Sequence, residues 1–339
     1  MIEVDVAVIG SGVAALKAVA GARALNRSYI AIESSYGRGG YIQSIGRTYR
    51  YLKSPLFIPQ KVIDMLESSG IEHDVRCFNV ERHVLKGGSV DIKMLGYREI
   101  AVQRNWFREW LEQNTLCYSS NIFKHLEQLL KTPLTEKSIA VSNIRKIDLD
   151  RHIVALSNGL LIKYGKLVYT WPLDLLPKYI YMRIGGEKIR RLVESLALDY
   201  ISIYTLSYIS TEVGRGGSIE LYIHGTKASR FHTALKIPID SGNITYIITS
   251  YSASYPLLPG ITEKLHSEAR KYRLVKEADI VEYNVSETIY ALINQIDRGL
   301  FSELQQTLSE YGVALYGRLG MWREQDLHST LIEQVPIDY

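Results

Sequence analysis

Cysteine is nearly absent from this chain. Cys77 and Cys117 are the only two in 339 residues, too few for the disulfide framework that staples small secreted domains. That scarcity fits a reducing cytoplasm, with each thiol expected to be a buried structural residue rather than a reactive one. Long apolar runs are lacking too. No stretch reaches the roughly 18 residues that a membrane-spanning helix needs, and a strand that begins at residue 2 leaves no room for a signal peptide. The expectation is a cytoplasmic protein with no membrane span. Charge of one sign is equally scarce: 40 Lys and Arg against 36 Asp and Glu leave +4, too little at this length to predict a nucleic-acid partner. No metal site, internal repeat or low-complexity tract is expected, and the sequence leaves any protein partner open.

What is there is concentrated at the N-terminus. An apolar strand, IEVDVAVI, runs directly into Gly10-Ser11-Gly12-Val13-Ala14-Ala15. A helical run from Val13 to Leu25 and a second strand, Tyr29 to Ile32, then deliver Glu33. Strand, tight glycine turn, helix, strand and acid is the order of the dinucleotide-binding βαβ unit. Gly10 allows the turn, Gly12 lets backbone amides approach a diphosphate at the helix N-terminus, and Ala15 keeps the helix close to the sheet. Glu33 stands at about the twenty-residue spacing of a carboxylate that binds ribose hydroxyls. No second fingerprint of this kind is evident for a nicotinamide cofactor.

The next doublet, Gly39-Gly40, narrows the ligand. Taken with GSGVAA and Glu33, it resembles the FAD-binding signature of the amine oxidase, protoporphyrinogen oxidase and UDP-galactopyranose mutase superfamily. In that superfamily the paired glycines bring backbone to the FAD phosphates. The C-terminal stretch Tyr316-Gly317-Arg318-Leu319-Gly320-Met321-Trp322, with Asp326-Leu327-His328 after it, resembles the closing flavin-binding motif of the same group, especially its mutase-like branch. That resemblance implies Arg318 near the FAD diphosphate, Gly317 and Gly320 where main chain passes the flavin, and Met321, Trp322 and Leu327 along its border. Asp326 is a plausible N-cap for a last helix from Leu327 to about Gln334.

Between these ends, Ser138 to Leu176 reads as short alternating strands with a turn at Ser157-Asn158-Gly159. It resembles the superfamily segment that returns to the FAD domain, with backbone near Ile144 beside the adenine and Thr170-Trp171-Pro172 as the turn after its last strand. Pro172 cannot donate to a ladder and so ends that strand. The implied fold is α/β, a Rossmann-like FAD-binding domain from about 1–50, 137–177 and 310–339 interleaved with an α+β substrate or cap domain from 51–136 and 178–309. Helices are expected over Ile58 to Ser69 and Trp106 to Lys131, with the tryptophans in the core, and a strand-rich cap from Ile201 to Tyr251. Turns are expected at Gly214–Gly217 and Asp240–Asn243.

Signals for substrate chemistry are weaker. Flavin carries out its own hydride or electron transfer, so no catalytic acid or base must announce itself. Arg230 and His232, in Ser229-Arg-Phe-His232, are candidates for anion binding and proton transfer, and strand alternation would put them on one face, although an exposed strand residue for Arg230 and a satisfied structural histidine for His232 are the plainer expectation. Lys53, after the glycine doublet, is a candidate for water positioning or anion binding, although a solvent-facing lysine is the plainer expectation. The basic clusters Arg47 to Lys53 and Lys188, Arg190 and Arg191 leave room for an anionic small-molecule substrate, the latter cluster being expected on a solvated helix face. The leading expectation is an FAD-dependent oxidoreductase acting on a small amine or a carbon–carbon single bond. The alternatives are a reduced-flavin isomerase of the sugar-nucleotide mutase kind and a noncatalytic flavin-binding module.

Overall fold

The computed structural model describes residues 1–34, 39–47, 49–87, 100–132, 134, 138–183, 185–211, 217–240 and 242–337. The turns expected at Gly214–Gly217 and around Ser241 lie wholly or partly outside those residues. Two large sheets organise the rest.

The first sheet is built around β1 (Ile2–Ile9), which is hydrogen-bonded in parallel to β2 (Tyr29–Glu33) on one side and to the strand Leu161–Tyr169 on the other. A central parallel strand is covered on both faces, which is why residues 6–9 are uniformly apolar and fully buried. Ile139–Val141 extends the sheet beyond β2, while Val313–Leu315 pairs with Leu161–Tyr169. Three strands, Ile144–Asp148, Ile153–Leu156 and the short Ile180–Tyr181, complete the other edge. The helix α1 (Val13–Ala24) lies on one face through Ala15, Leu16, Ala18, Val19 and Ala22. Three alanines on that stripe let the helix axis approach the sheet closely.

Gly186–Ser195 and Arg298–Ser309 cover the opposite face, placing Ile189, Leu192, Phe301 and Leu304 in one core with Ile9, Leu167 and Tyr169. Both helices, and the strand Ile180–Tyr181, come from the segment expected to be cap. The cap segment therefore also closes the back of the first sheet. The basic residues Lys188 and Arg191 sit on the outer side of the first of these helices, paired with Glu303 at 3.2 Å and Glu187 at 3.2 Å, a solvated charged face.

The second sheet has seven strands in the order Ile280–Ile293, Tyr200–Ser210, Gly242–Tyr251, Thr233–Ile239, Ile219–His224, Arg76–Lys86 and Thr115–Tyr118. Its inner face shares a core with α1 and with the helix Gln60–Ser68. Its outer face is covered by Ile261–Lys271 through Ile261, Leu265 and Ala269.

Two expectations are corrected here. The stretch Trp106 to Lys131 is not one helix: Trp106–Glu112 and Ile122–Leu129 are separated by the strand Thr115–Tyr118. Leu116, Cys117 and Tyr118 are all buried there, and tertiary pairing overrides the helical spacing read from the tryptophans. Those tryptophans do belong to the core, stacked among Phe57, Phe107 and one another. The two cysteines are not separate thiols either. Cys77 and Cys117 face each other across neighbouring antiparallel strands and are joined in a disulfide, so their small number carries no information about redox compartment. Among the described residues no helix is long and apolar enough to cross a membrane.

Candidate functional site

Three segments far apart in sequence meet at the N-terminus of α1. Gly10 has a φ of +118°, and its N–H bonds the Ile32 carbonyl at 2.8 Å, closing the turn onto β2. A side chain on Gly10 would overlap the Thr170 hydroxyl, which itself bonds the Ile9 carbonyl at 2.5 Å. The Thr170-Trp171-Pro172 turn is thus seated on the glycine turn. From the other side the Gly39 N–H bonds the Ser11 carbonyl at 3.1 Å, and a Cβ on Gly40 would lie 3.5 Å from the Gly12 Cα. The C-terminal motif arrives last: a side chain on Gly317 would overlap the Ala14 methyl, and one on Gly320 would overlap the Tyr169 carbonyl.

Gly12 is the N-cap, extended and without a side-chain cap. The first intrahelical bond runs from the Leu16 N–H to the Gly12 carbonyl at 2.9 Å, so the amides of residues 13–15 have no protein acceptor among the described residues. They give the helix end a donor set and a positive potential suited to an anion. Glu33 accepts from the Ser11 hydroxyl at 2.6 Å and from the Ser34 N–H at 2.7 Å, which holds the carboxylate beside the glycine turn. Ser142 N–H bonds the Glu33 carbonyl at 2.9 Å, bringing the chain leading into Ile144 next to that acid. The geometry fits the sugar and diphosphate portion of a dinucleotide.

Arg318 is placed differently from its expected role. Its guanidinium binds Glu324 through Nε and Nη2, both at 2.7 Å, donates to the Tyr290 and Ala291 carbonyls at 2.8 Å each, and donates to the Tyr41 hydroxyl at 3.2 Å. All five N–H donors are spent on protein. Arg318 therefore ties the C-terminal motif to the strand Ile280–Ile293 and to the residue after the glycine doublet. Trp322 is fully buried, its indole N–H on Asn294 at 2.9 Å, and Met321 packs beside Gln305. Asp326 is an N-cap as expected: its carboxylate accepts from the Ser329 N–H at 2.7 Å at the start of Leu327–Ile332.

Lys53 follows the short strand Tyr51–Leu52, which pairs with Ser44–Ile45 just after the doublet. That segment is held against the second sheet. The Tyr246 hydroxyl donates to the Leu52 carbonyl at 2.7 Å, so the Tyr118 hydroxyl donates to the Tyr246 oxygen at 3.1 Å, and the Leu52 N–H donates to the Tyr118 oxygen at 3.1 Å. Burial pushes Tyr118 up to about 12 and Tyr246 further up, so both remain neutral hydrogen-bonding groups. The Lys53 ammonium is half-buried and has no hydrogen-bond or ion-pair partner among the described residues. Burial lowers its pKa, and the charge of Glu33 opposes that shift.

Asp174, two residues past Pro172, is a group that the sequence did not single out. Burial raises its carboxyl pKa, the Tyr290 hydroxyl donates to it at 2.9 Å, and its Oδ1 is buried without a partner. Only its closeness to the Thr170 turn could have marked it.

The structure does not bring Arg230 and His232 together. Ser229 to His232 precede the strand Thr233–Ile239 instead of lying on it, so strand alternation does not apply. Arg230 is exposed, with its N–H on Glu268. His232 is buried, with Nδ1 at 2.9 Å from the Thr233 hydroxyl and Nε2 at 2.8 Å from the Ser250 hydroxyl. Both nitrogens are satisfied, as in a structural histidine. Cavity size does not locate the site either: two open depressions of nearly equal volume, about 600 Å³ lined by His266, Arg270 and Tyr283 and about 610 Å³ lined by His73, Asp74 and His125, both lie away from the helix end.

A glycine-turn βαβ unit, a largely parallel first sheet and a largely antiparallel second sheet make up the fold, and the likeness to solved structures is at the level of that fold. The chain is similar to reduced UDP-galactopyranose mutase, with a TM-score of 0.73 at 13% identity over 95% of this chain and 90% of that one. It is similar to a CLA-producing fatty acid isomerase from P. acnes, with a TM-score of 0.63 at 10% identity over 92% of each chain. A putrescine oxidase matches with a TM-score of 0.54 at 11% identity over 84% of this chain and 85% of that one. No protein-family model matches the chain, and no curated protein matches it by sequence.

Proposed function

We propose that this chain is an FAD-dependent oxidoreductase acting on a small molecule, an amine or a carbon–carbon single bond. The carrying observation is the convergence of Gly10–Ala15, Gly39-Gly40 and Gly317–Gly320 on one helix end whose amides have no protein acceptor. Bound FAD would supply hydride or electron transfer. The chain would supply binding and placement. Gly12, Gly39, Gly40 and the amides of residues 13–15 would face the diphosphate, Glu33 the ribose, and the backbone by Ile144 the adenine. The C-terminal segment from Gly317 to Leu327 would flank the flavin. In this reading the first sheet is the cofactor domain and the inner face of the second sheet is its cap, with Tyr118 and Tyr246 excluding water between them.

A second reading, an isomerase that uses reduced flavin without net oxidation, is favoured by the likeness to UDP-galactopyranose mutase over nearly the whole of both chains. One experiment addresses both. The purified protein is expected to carry a flavin absorption spectrum and to release FAD on denaturation. Anaerobic addition of candidate amines should bleach the oxidised flavin, whereas turnover of a sugar nucleotide only after prior reduction would favour the second reading. A colourless protein that also fails to take up added FAD would remove the proposal.

A further inference from the structure

A dinucleotide diphosphate carries negative charge that helix amides meet with partial charges, and a cationic side chain within reach adds a stronger, charge-assisted bond. The motif points to Arg318, but every donor of that guanidinium is bound to Glu324, Tyr41 or a carbonyl of the strand Ile280–Ile293. Freeing it would leave Glu324 buried without its partner. Arg318 is therefore a structural pin.

Lys53 has the opposite character. Its backbone N–H bonds the Gln43 carbonyl at 3.0 Å, and Gln43 closes the short turn that begins at Gly40, whose Cα lies against Gly12. Its carbonyl accepts from Ser286, and the neighbouring Ser54 hydroxyl bonds Thr288 at 2.5 Å. The main chain at Lys53 is thus linked to the glycine cradle through two hydrogen bonds, Lys53 N–H to the Gln43 carbonyl and Gln43 N–H to the Gly40 carbonyl. Its ammonium is half-buried, unpaired among the described residues, and within electrostatic reach of Glu33, the acid that holds Ser11. Burying an ammonium without a partner is costly unless a ligand supplies one.

We propose that Lys53, and not Arg318, is the cation that faces the diphosphate of the bound dinucleotide. The assignment rests on the FAD reading above and deepens it: Glu33 fixes the ribose, Lys53 neutralises the adjoining diphosphate, and together they favour a dinucleotide over a flavin lacking the adenylate.

The test is equilibrium binding to the cofactor-stripped full chain, with FAD, ADP and riboflavin as probes at low and high ionic strength. Lys53→Gln should weaken FAD and ADP by about tenfold, the scale of one charge-assisted hydrogen bond, leave riboflavin unchanged, and flatten the salt dependence. Lys53→Arg should keep most of the affinity. If Lys53→Gln binds FAD and ADP as tightly as the unsubstituted chain, or more tightly because Lys53 only balances Glu33, the assignment is overturned. An equal loss for riboflavin overturns it as well. An unsubstituted chain that binds neither FAD nor ADP brings down the cofactor reading itself, a result distinct from a chain that binds both and ignores Lys53.

Discussion

At the scale of single residues, identity and role separate. The glycines were readable because each does what only glycine can do: Gly10 adopts a positive φ, and Gly317 and Gly320 leave room for Ala14 and the Tyr169 carbonyl. Arg318 was readable as a position but not as a role, since nothing in a linear motif says that Glu324, Tyr41 and two carbonyls will consume its donors. His232 was readable as a structural histidine but not with its partners, because the Ser250 hydroxyl, eighteen positions away, reaches it only when the chain folds. Asp326 shows the reverse case, a local signal with a local outcome. Burial alone would raise its carboxyl pKa, but the bonds from Ser329 and the charges of Arg104 and His328 bring it below the ordinary value. Its native pKa being depressed, the stability it contributes is present above the unfolded carboxyl value of about 3.9 and is lost as pH falls through the native value. Asp326→Ala should cost about 1 kcal/mol near neutral pH. In denaturant melts the difference from the unsubstituted protein should shrink towards zero in acid; a gap that persists unchanged there would mean that the carboxylate is not the cap.

At the scale of elements, strands and helices with strong local signals formed where they were expected, as β1, α1, β2 and the C-terminal helix did. Misreadings came where long-range pairing chose the structure. Thr115–Tyr118 is a strand because Arg76–Lys86 pairs with it, and a disulfide joins the two. The sequence held both cysteines but no signal that forty residues of separation would fold into direct cross-strand contact. The helix Gly186–Ser195 was legible only through its basic face, and neither it nor Arg298–Ser309 was legible as a cover on the back of the first sheet. The disulfide has a measurable consequence. Closing a loop of this length removes unfolded-state entropy worth about 4 kcal/mol in the chain-entropy model. Reduction, or a Cys77→Ala/Cys117→Ala double substitution, should lower the denaturation midpoint accordingly, while a flavin spectrum, if present, should persist because neither cysteine belongs to the glycine cradle and the ladder between the two strands remains. An unchanged midpoint on reduction would show that the thiols are not paired in solution.

At the scale of the whole molecule, the first sheet was the legible half of the architecture because its glycine motifs are backbone constraints rather than side-chain contacts. The likenesses at 13% identity and below show that the fold is shared where few residues are. The reaction was not legible, because the second sheet is specified by buried tyrosines, serines and threonines whose meaning is packing. What makes the molecule one unit is the closure of its ends: Gly317 sits on Ala14, and Arg318 then locks that junction to the strand Ile280–Ile293. The dependence can be tested by comparing two glycines that both have positive φ. Gly159, at +86°, has open space where a Cβ would go, whereas Gly317, at +73°, has the Ala14 methyl there. Gly159→Ala should cost only backbone strain, about 1–2 kcal/mol. Gly317→Ala adds a clash to the same strain, so it should lower the thermal midpoint further and, unlike Gly159→Ala, should also reduce FAD uptake by displacing the helix end that the proposed diphosphate site is built on. Equal effects of the two substitutions on both midpoint and FAD uptake would mean that the contact between the chain's two ends does not support the site.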